Sequence, residues 1–66
     1  MVKCWGVVKG DLVFAGISSL SGQPMWFAAV DDIEHLSSCG AVRTRRDPRW
    51  LALARKYSTD VEWKLL

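Results

Sequence analysis

The sequence is poor in the side chains that carry most catalytic and metal chemistry. It holds one histidine, His35, and two cysteines, Cys4 and Cys39, among 66 residues. A structural zinc site requires four ligands, and these three residues supply one pair at helical spacing. A thiolate pair of Cys39 with His35 would lack a third residue to orient the imidazole ring. We therefore expect no catalytic residue, no metal site and no enzymatic activity.

Phosphate-binding loops and paired catalytic carboxylates are also missing. The glycines at positions 6, 10 and 16 do not match the spacing of a P-loop or of a dinucleotide-binding fingerprint. Asp31 and Asp32 are neighbours in the sequence, so their side chains point in different directions. Capping of a helix explains these two acids better than acid–base chemistry does. We accordingly expect no cofactor.

Long hydrophobic stretches are absent as well. The apolar stretch at residues 25–30 is six residues long, whereas a transmembrane helix needs about 20. No apolar segment typical of a secretory leader is visible. We therefore expect a cytoplasmic protein with two free thiols and without a membrane partner.

The short chain carries an unusual number of tryptophans for its size. Residues 1–66 make a single small domain, which buries only about 60% of the surface of its unfolded chain. Tryptophan fills small cores, but it is also frequent among the anchoring residues of interfaces. We expect at least one tryptophan to reach an interface, and a homodimer would cover exposed sheet edges. The four residues are Trp5, Trp26, Trp50 and Trp63.

Apolar, β-branched and aromatic runs in the first half of the chain predict a three-stranded antiparallel meander. Glycine and proline mark the turns between these runs. Gly6 and Gly16 interrupt two of the strands, which predicts either a bulge or a close approach of the backbone. The predicted strands are residues 2–8, 12–18 and 25–30.

Two helices are predicted in the second half. Asp31 and Glu34 have capping-box spacing, which predicts a short helix over residues 32–38. Asp47 followed by Pro48 combines a preferred N-cap with the residue favoured at the first helical position. This second helix would place Trp50, Leu53, Ala54 and Tyr57 on one face and end near Ser58 and Thr59.

The remaining segments complete an α+β fold. Residues 41–45 are compatible with a brief strand or with an extended connection, and residues 61–65 alternate as a half-buried strand does. The predicted fold class is a small, mostly antiparallel sheet, formed by the N-terminal meander and a C-terminal strand. One short and one longer helix are expected to pack on one face of this sheet.

Positive charge is concentrated in one segment of the chain. All five arginines fall within residues 43–55, and with Lys56 they make six positive charges against one acid, Asp47. The rest of the chain holds three lysines and six acids. A dense cluster of guanidinium groups attracts anions, and guanidinium groups bind both phosphates and carboxylates bidentately.

Three interpretations of this basic segment remain open. It is a solvated surface neutralised in part by Asp31, Asp32 and Glu34, or a sequence-nonspecific binder of nucleic-acid phosphates, or a site that docks on an acidic protein surface. Ala52 at the exposed centre of the second helix is a poor reader of bases. The tryptophan content and the thin core favour protein docking.

We therefore predict a small non-enzymatic protein-binding module that docks on a larger protein with an acidic surface. Nucleic-acid binding through the same basic segment is the alternative. Small regulators and inhibitors of phages and mobile elements are often of this kind, which is an association at the level of protein class. The predicted contact residues are Arg43, Arg45, Arg46 and Arg49, followed by Arg55 and Trp50.

Overall fold

The computed structural model describes residues 4–28 and 33–66, which form five strands and two helices. Each predicted element is found in these ranges, and the ambiguous segment 41–45 contains a two-residue strand. The predicted strand ends at Val2 and Val30, and the capping residue Asp31, lie outside the described residues. In chain order the elements are β1 (Trp5–Lys9), β2 (Leu12–Ile17), β3 (Pro24–Ala28), α1 (Ile33–Ser38), β4 (Val42–Arg43), α2 (Pro48–Arg55) and β5 (Glu62–Leu65).

The sheet is built around β1. Strands β1, β2 and β3 form the predicted antiparallel meander, and β5 pairs antiparallel with the whole of β1 except Lys9. Trp5 and Gly6 pair with both β4 and β5. Because a strand has only two edges, β4 and β5 lie on opposite edges of β1, and β4 shares its edge with β2. The predicted α+β fold class is confirmed.

The two helices cover opposite faces of this sheet, so the prediction that both pack on one face was wrong. Val8 and Val13 pack with Leu36 of α1, whereas Val7 and Phe14 pack with Ala54 of α2. Neighbouring residues of a strand face opposite sides. The strands β1 and β2 are apolar on both sides, and two layers are needed to bury them. We call these sides of the sheet the α1 face and the α2 face.

Both glycines inside strands have the roles that the sequence predicts. The register between β2 and β3 shifts between Phe14 and Ile17, and Gly16 in this bulge has a φ of 101°. The extra residue turns Ile17 toward the α2 face. At Gly6, a β-carbon would lie 2.8 Å from Cδ1 of Leu66, so the backbone approaches the C-terminal residue closely.

Helix α2 is shorter than the sequence predicts. It ends at Arg55, and the N–H groups of Tyr57 and Ser58 both donate to the carbonyl oxygen of Ala54 at 3.0 and 3.1 Å. Tyr57 therefore lies beyond the helix and is 46% exposed, where the predicted apolar face would bury it. Neither helix of the described residues has the length or the apolarity to cross a bilayer.

Candidate docking surface

The four tryptophans, which are far apart in the sequence, all lie on the α2 face. Trp63 is opposite Val7 in the β1–β5 pairing, and Trp5 is two residues before Val7, so both share its side of the sheet. Trp26 is opposite Phe14, and Trp50 belongs to α2. All four side chains are half-buried. They surround the small α2-side core and reach its surface.

A continuous column of rings and cations runs across this face. The guanidinium carbon of Arg43 is 4.1 Å from the ring centroid of Trp50, which lies 4.8 Å from that of Phe14. Phe14 is followed by Trp26 at 5.3 Å, and Nζ of Lys9 lies 4.9 Å from the Trp26 ring. Tilted ring pairs and cations over ring faces both stabilise such contacts. The buried Phe14 thus supports an arginine at the surface.

Arg43 is held by the fold itself. It is half-buried, and its Nη1 donates to the carbonyl oxygen of Gly40 and, at 3.5 Å, more weakly to that of Val42. Its guanidinium is also stacked on Trp50. Of the predicted contact residues, Arg43 is therefore the one with the least freedom to reorient toward a partner.

Arg45 and Arg46 are exposed and differ in how they are held. The guanidinium carbon of Arg46 lies 4.3 Å from the ring centroid of Trp5, which orients the side chain. Arg45 makes no hydrogen bond or ion pair with any residue in the described part of the chain. Its charge is consequently available to an external anion.

The single acid of the basic segment is occupied locally. The Asp47 carboxylate caps α2 by accepting a hydrogen bond from the backbone N–H of Arg49 at 2.9 Å. Its Oδ1 also lies 3.3 Å from Nε of Arg49, whose side chain is 91% exposed. The side-chain hydrogen bond from Arg49, followed by the backbone one, lowers the pKa of Asp47 below its usual value. Asp47 therefore neutralises part of one arginine, and the other arginines of the segment have no ion pair with residues 4–28 or 33–66.

We expect Asp47 to make folding depend on acid pH. Because its pKa is lower in the folded state than in the unfolded chain, its contribution is complete above the unfolded pKa of about 3.9 and is lost as the pH falls through the folded pKa. The measurement is the melting temperature of wild type and Asp47→Asn between about pH 2 and pH 7. Wild type should melt higher at neutral pH, and the difference should vanish in acid.

The asparagine variant is chosen because it keeps an oxygen that can cap the helix and removes only the charge. The pKa of Asp60 is also lowered, by a hydrogen bond from Ser58. Asp60 is present in both proteins, so its effect on the melting temperature cancels when the two proteins are compared. Equal melting temperatures at neutral pH would show that the Asp47 charge does not stabilise the fold.

Two shallow depressions meet at the start of α2. The first, which we call the arginine groove, has a volume of about 570 Å³, and the second, the α2 depression, about 460 Å³. Both are bordered by Pro48, so a cationic surface continues into a partly apolar one. The arginine groove is lined by Arg43, Thr44, Arg45, Arg46, Asp47, Pro48 and Arg49, and the α2 depression by Pro48, Leu51, Ala52, Arg55 and Lys56.

The structure brings five of the six predicted contact residues to this surface. Trp50 is the exception, because it lies beneath Arg43 and its buried Nε1 has no hydrogen-bond partner among the described residues. Sequence reasoning missed Trp5, the platform under Arg46. No sequence signal could have found it, since the contact depends on the pairing of β1 with β4. The residues brought together are Arg43, Arg45, Arg46, Arg49 and Arg55.

No group of three His, Cys, Asp or Glu side chains within residues 4–28 and 33–66 is placed to hold a metal ion. Cys4 is half-buried and Cys39 is exposed, and Sγ of Cys39 donates to the carbonyl oxygen of Leu36 at 3.2 Å. The side chain of His35, considered above as a partner of Cys39, is not among the described ones. No family model, curated protein or solved structure matches the chain.

Proposed function

We propose that this chain is a small non-enzymatic protein-binding module that docks on an acidic surface of a larger protein. The observation that carries the proposal is the continuity of the arginine groove with the α2 depression. A partner with carboxylates beside an apolar side chain would complement both parts, since interfaces combine charged hydrogen bonds with an apolar centre. By covering such a surface the module would act as a regulator or an inhibitor.

The arginines of the groove have different roles in this docking. Arg46 is oriented by Trp5, so it loses less side-chain entropy on binding than a freely moving arginine does. Arg45 offers a guanidinium that is not paired with any described residue, and the largely exposed Arg49 retains N–H groups that Asp47 does not use. Arg43, which is stacked on the ring of Trp50, lines the groove in a fixed position.

Nucleic-acid binding is the alternative that the same charges allow. A phosphate backbone would accept hydrogen bonds from the guanidinium groups, but it has no apolar group to pack on the apolar part of the α2 depression. Stacking of bases requires open aromatic faces. Trp5 and Trp50 each carry an arginine over their ring. Protein docking therefore uses more of the surface than nucleic-acid binding does.

The proposed setting is the cytoplasm, where a reducing environment preserves thiols. The exposed thiol of Cys39 supports this inference.

We expect Arg45→Glu to abolish docking while the fold is kept. The experiment is a pull-down from lysate with tagged wild type, Arg45→Glu and Lys9→Glu, with and without nuclease. The two variants change the net charge equally, but Lys9 lies at the end of β1 away from the groove. A protein that survives nuclease and binds wild type and Lys9→Glu, but binds Arg45→Glu at least about tenfold more weakly, supports the proposal.

The other outcomes contradict it. Recovery that depends on nucleic acid would establish the phosphate-binding alternative, and equal loss with both variants would show attraction by net charge alone. The melting temperature of Arg45→Glu should equal that of wild type, because Arg45 has no ion pair with a described residue to lose.

A further inference from the structure

Strand β5 lies at an edge of the sheet and has main-chain groups available for pairing. It pairs with β1 on one side, and no strand among residues 4–28 and 33–66 pairs with its other side. The N–H of Leu66 donates to the carbonyl oxygen of Cys4 at 2.9 Å. The direction of the main-chain hydrogen bonds alternates along an antiparallel strand, so the N–H and C=O groups of Lys64 and Glu62 also point toward β1. The N–H and C=O groups of Trp63 and Leu65 therefore point away from the sheet.

The outer edge of β3 is less suitable for pairing. It begins at Pro24, which has no N–H to donate. The edge of β5 contains no proline, and its side chains alternate between charged residues on the α1 face and apolar residues on the α2 face.

The charges of β5 select one register for pairing with a second copy. In an antiparallel pair of identical strands with two-fold symmetry, centring on Lys64 places two lysines opposite each other, and centring on Glu62 places two glutamates opposite each other. Both arrangements are unfavourable. Centring on Trp63 places Glu62 of each copy opposite Lys64 of the other, and the outward-pointing groups of Trp63 then face each other.

We infer that β5 is a self-pairing edge, which joins two copies of this chain antiparallel about Trp63 into one continuous sheet. A lysine on an edge strand usually prevents such association. Here centring on Glu62 or on Lys64 opposes like charges, whereas centring on Trp63 places Lys64 of each copy opposite Glu62 of the other. The arginine groove adjoins β4 on the opposite edge of β1 and stays open in the dimer.

The dimer should form reversibly at high protein concentration. A four-residue edge covers less area than the roughly 1,200 Å² of a stable interface. Both Glu62 and Lys64 are exposed, and their partners on β1 are the uncharged Val8 and Gly6. Changing these charges therefore alters the proposed contact between copies more than the pairing within a copy.

The experiment is sedimentation equilibrium of purified wild type, Glu62→Lys, Lys64→Glu and the double exchange. Each single variant should dimerise about tenfold more weakly, because two cross-strand pairs per dimer change from attraction to repulsion. The double exchange should dimerise as wild type does. An equimolar mixture of the two single variants should form a heterodimer, since lysines of one copy then face glutamates of the other.

Circular dichroism melting of dilute samples provides the control for folding, and all variants should melt near wild type. The inference is overturned if wild type remains monomeric up to about 1 mM, a limit that corresponds to negligible affinity. It is also overturned if the single variants associate as wild type does, or if their mixture does not associate more strongly than either alone. None of these measurements involves the docking partner, so the proposed function is tested separately.

Discussion

Phe14→Ala should leave the chain largely unfolded at room temperature. The Phe14 side chain is fully buried and lies between Trp50 and Trp26, with ring centroids at 4.8 and 5.3 Å. Truncation of a core phenylalanine to alanine costs about 3–5 kcal/mol. A core of this size rarely provides more than about 3–5 kcal/mol of net stability. The two quantities are comparable, so this single change removes most of the net stability of the fold.

The measurement is urea unfolding followed by circular dichroism and tryptophan fluorescence, with Phe14→Leu as the matched control. Leucine keeps an apolar side chain of similar reach and loses the two ring contacts, which are worth about 0.5–1.5 kcal/mol each. It should therefore unfold between wild type and Phe14→Ala. If Phe14→Ala unfolded at the same urea concentration as wild type, the column of rings would not stabilise the α2 face.

Gly16→Val should have the second-largest effect, because it combines backbone strain with added bulk against Trp50. Gly16 has a φ of 101°, which β-branched residues adopt only at a cost of about 1–3 kcal/mol. A β-carbon at Gly16 would already touch Cη2 of Trp50 at 3.5 Å, and the two methyl groups of valine add further bulk at this buried position. Overpacking of this kind costs a further roughly 1–3 kcal/mol.

Gly22→Val separates these two contributions. Gly22 has a φ of 71°, and nothing lies within 4 Å of a β-carbon placed there. It should show the backbone cost alone, so the difference in unfolding free energy between the two variants measures the contact with Trp50. Equal destabilisation of both would mean that Trp50 moves aside without cost.

Trp50 links the core to the candidate docking surface. Trp50 rests on Phe14 and carries Arg43, and Trp5 carries Arg46. Two of the groove arginines are thus positioned by rings that belong to the folded core or to β1. Side chains positioned before binding lose less entropy on association. A change at Phe14 or Gly16 should consequently disturb the arginine groove without altering its charge.

Much of the fold follows from local sequence signals. The apolar runs predict the meander, and Asp47 with Pro48 places the start of α2 correctly because both residues act through the first helical turn alone. Gly16 and Gly6 mark a bulge and a close approach for reasons that are also local. The end of α2 is predicted less well, since the aromatic Tyr57 continues the helical period beyond Arg55, where the helix stops.

The placement of the helices could not be obtained in this way. The strands contain neighbouring apolar residues, such as Val7 and Val8 in β1 and Val13 and Phe14 in β2. Such continuous apolar runs do not indicate which side of the sheet each helix covers. The structure assigns the two sides to α1 and α2. Only the completed sheet defines these sides, because a slip of one residue in the pairing reverses the facing of every side chain.

The sequence by itself determined the type of every element except β4, the α+β class and the collection of the arginines into residues 43–55, since these depend on residue type and short spacing. Tertiary structure alone decided that four tryptophans share the α2 face and that Arg43 and Arg46 lie on two of their rings. These contacts depend on the register of β1 with β4 and β5. That register is set by the burial of apolar side chains distant in sequence, which no local pattern encodes.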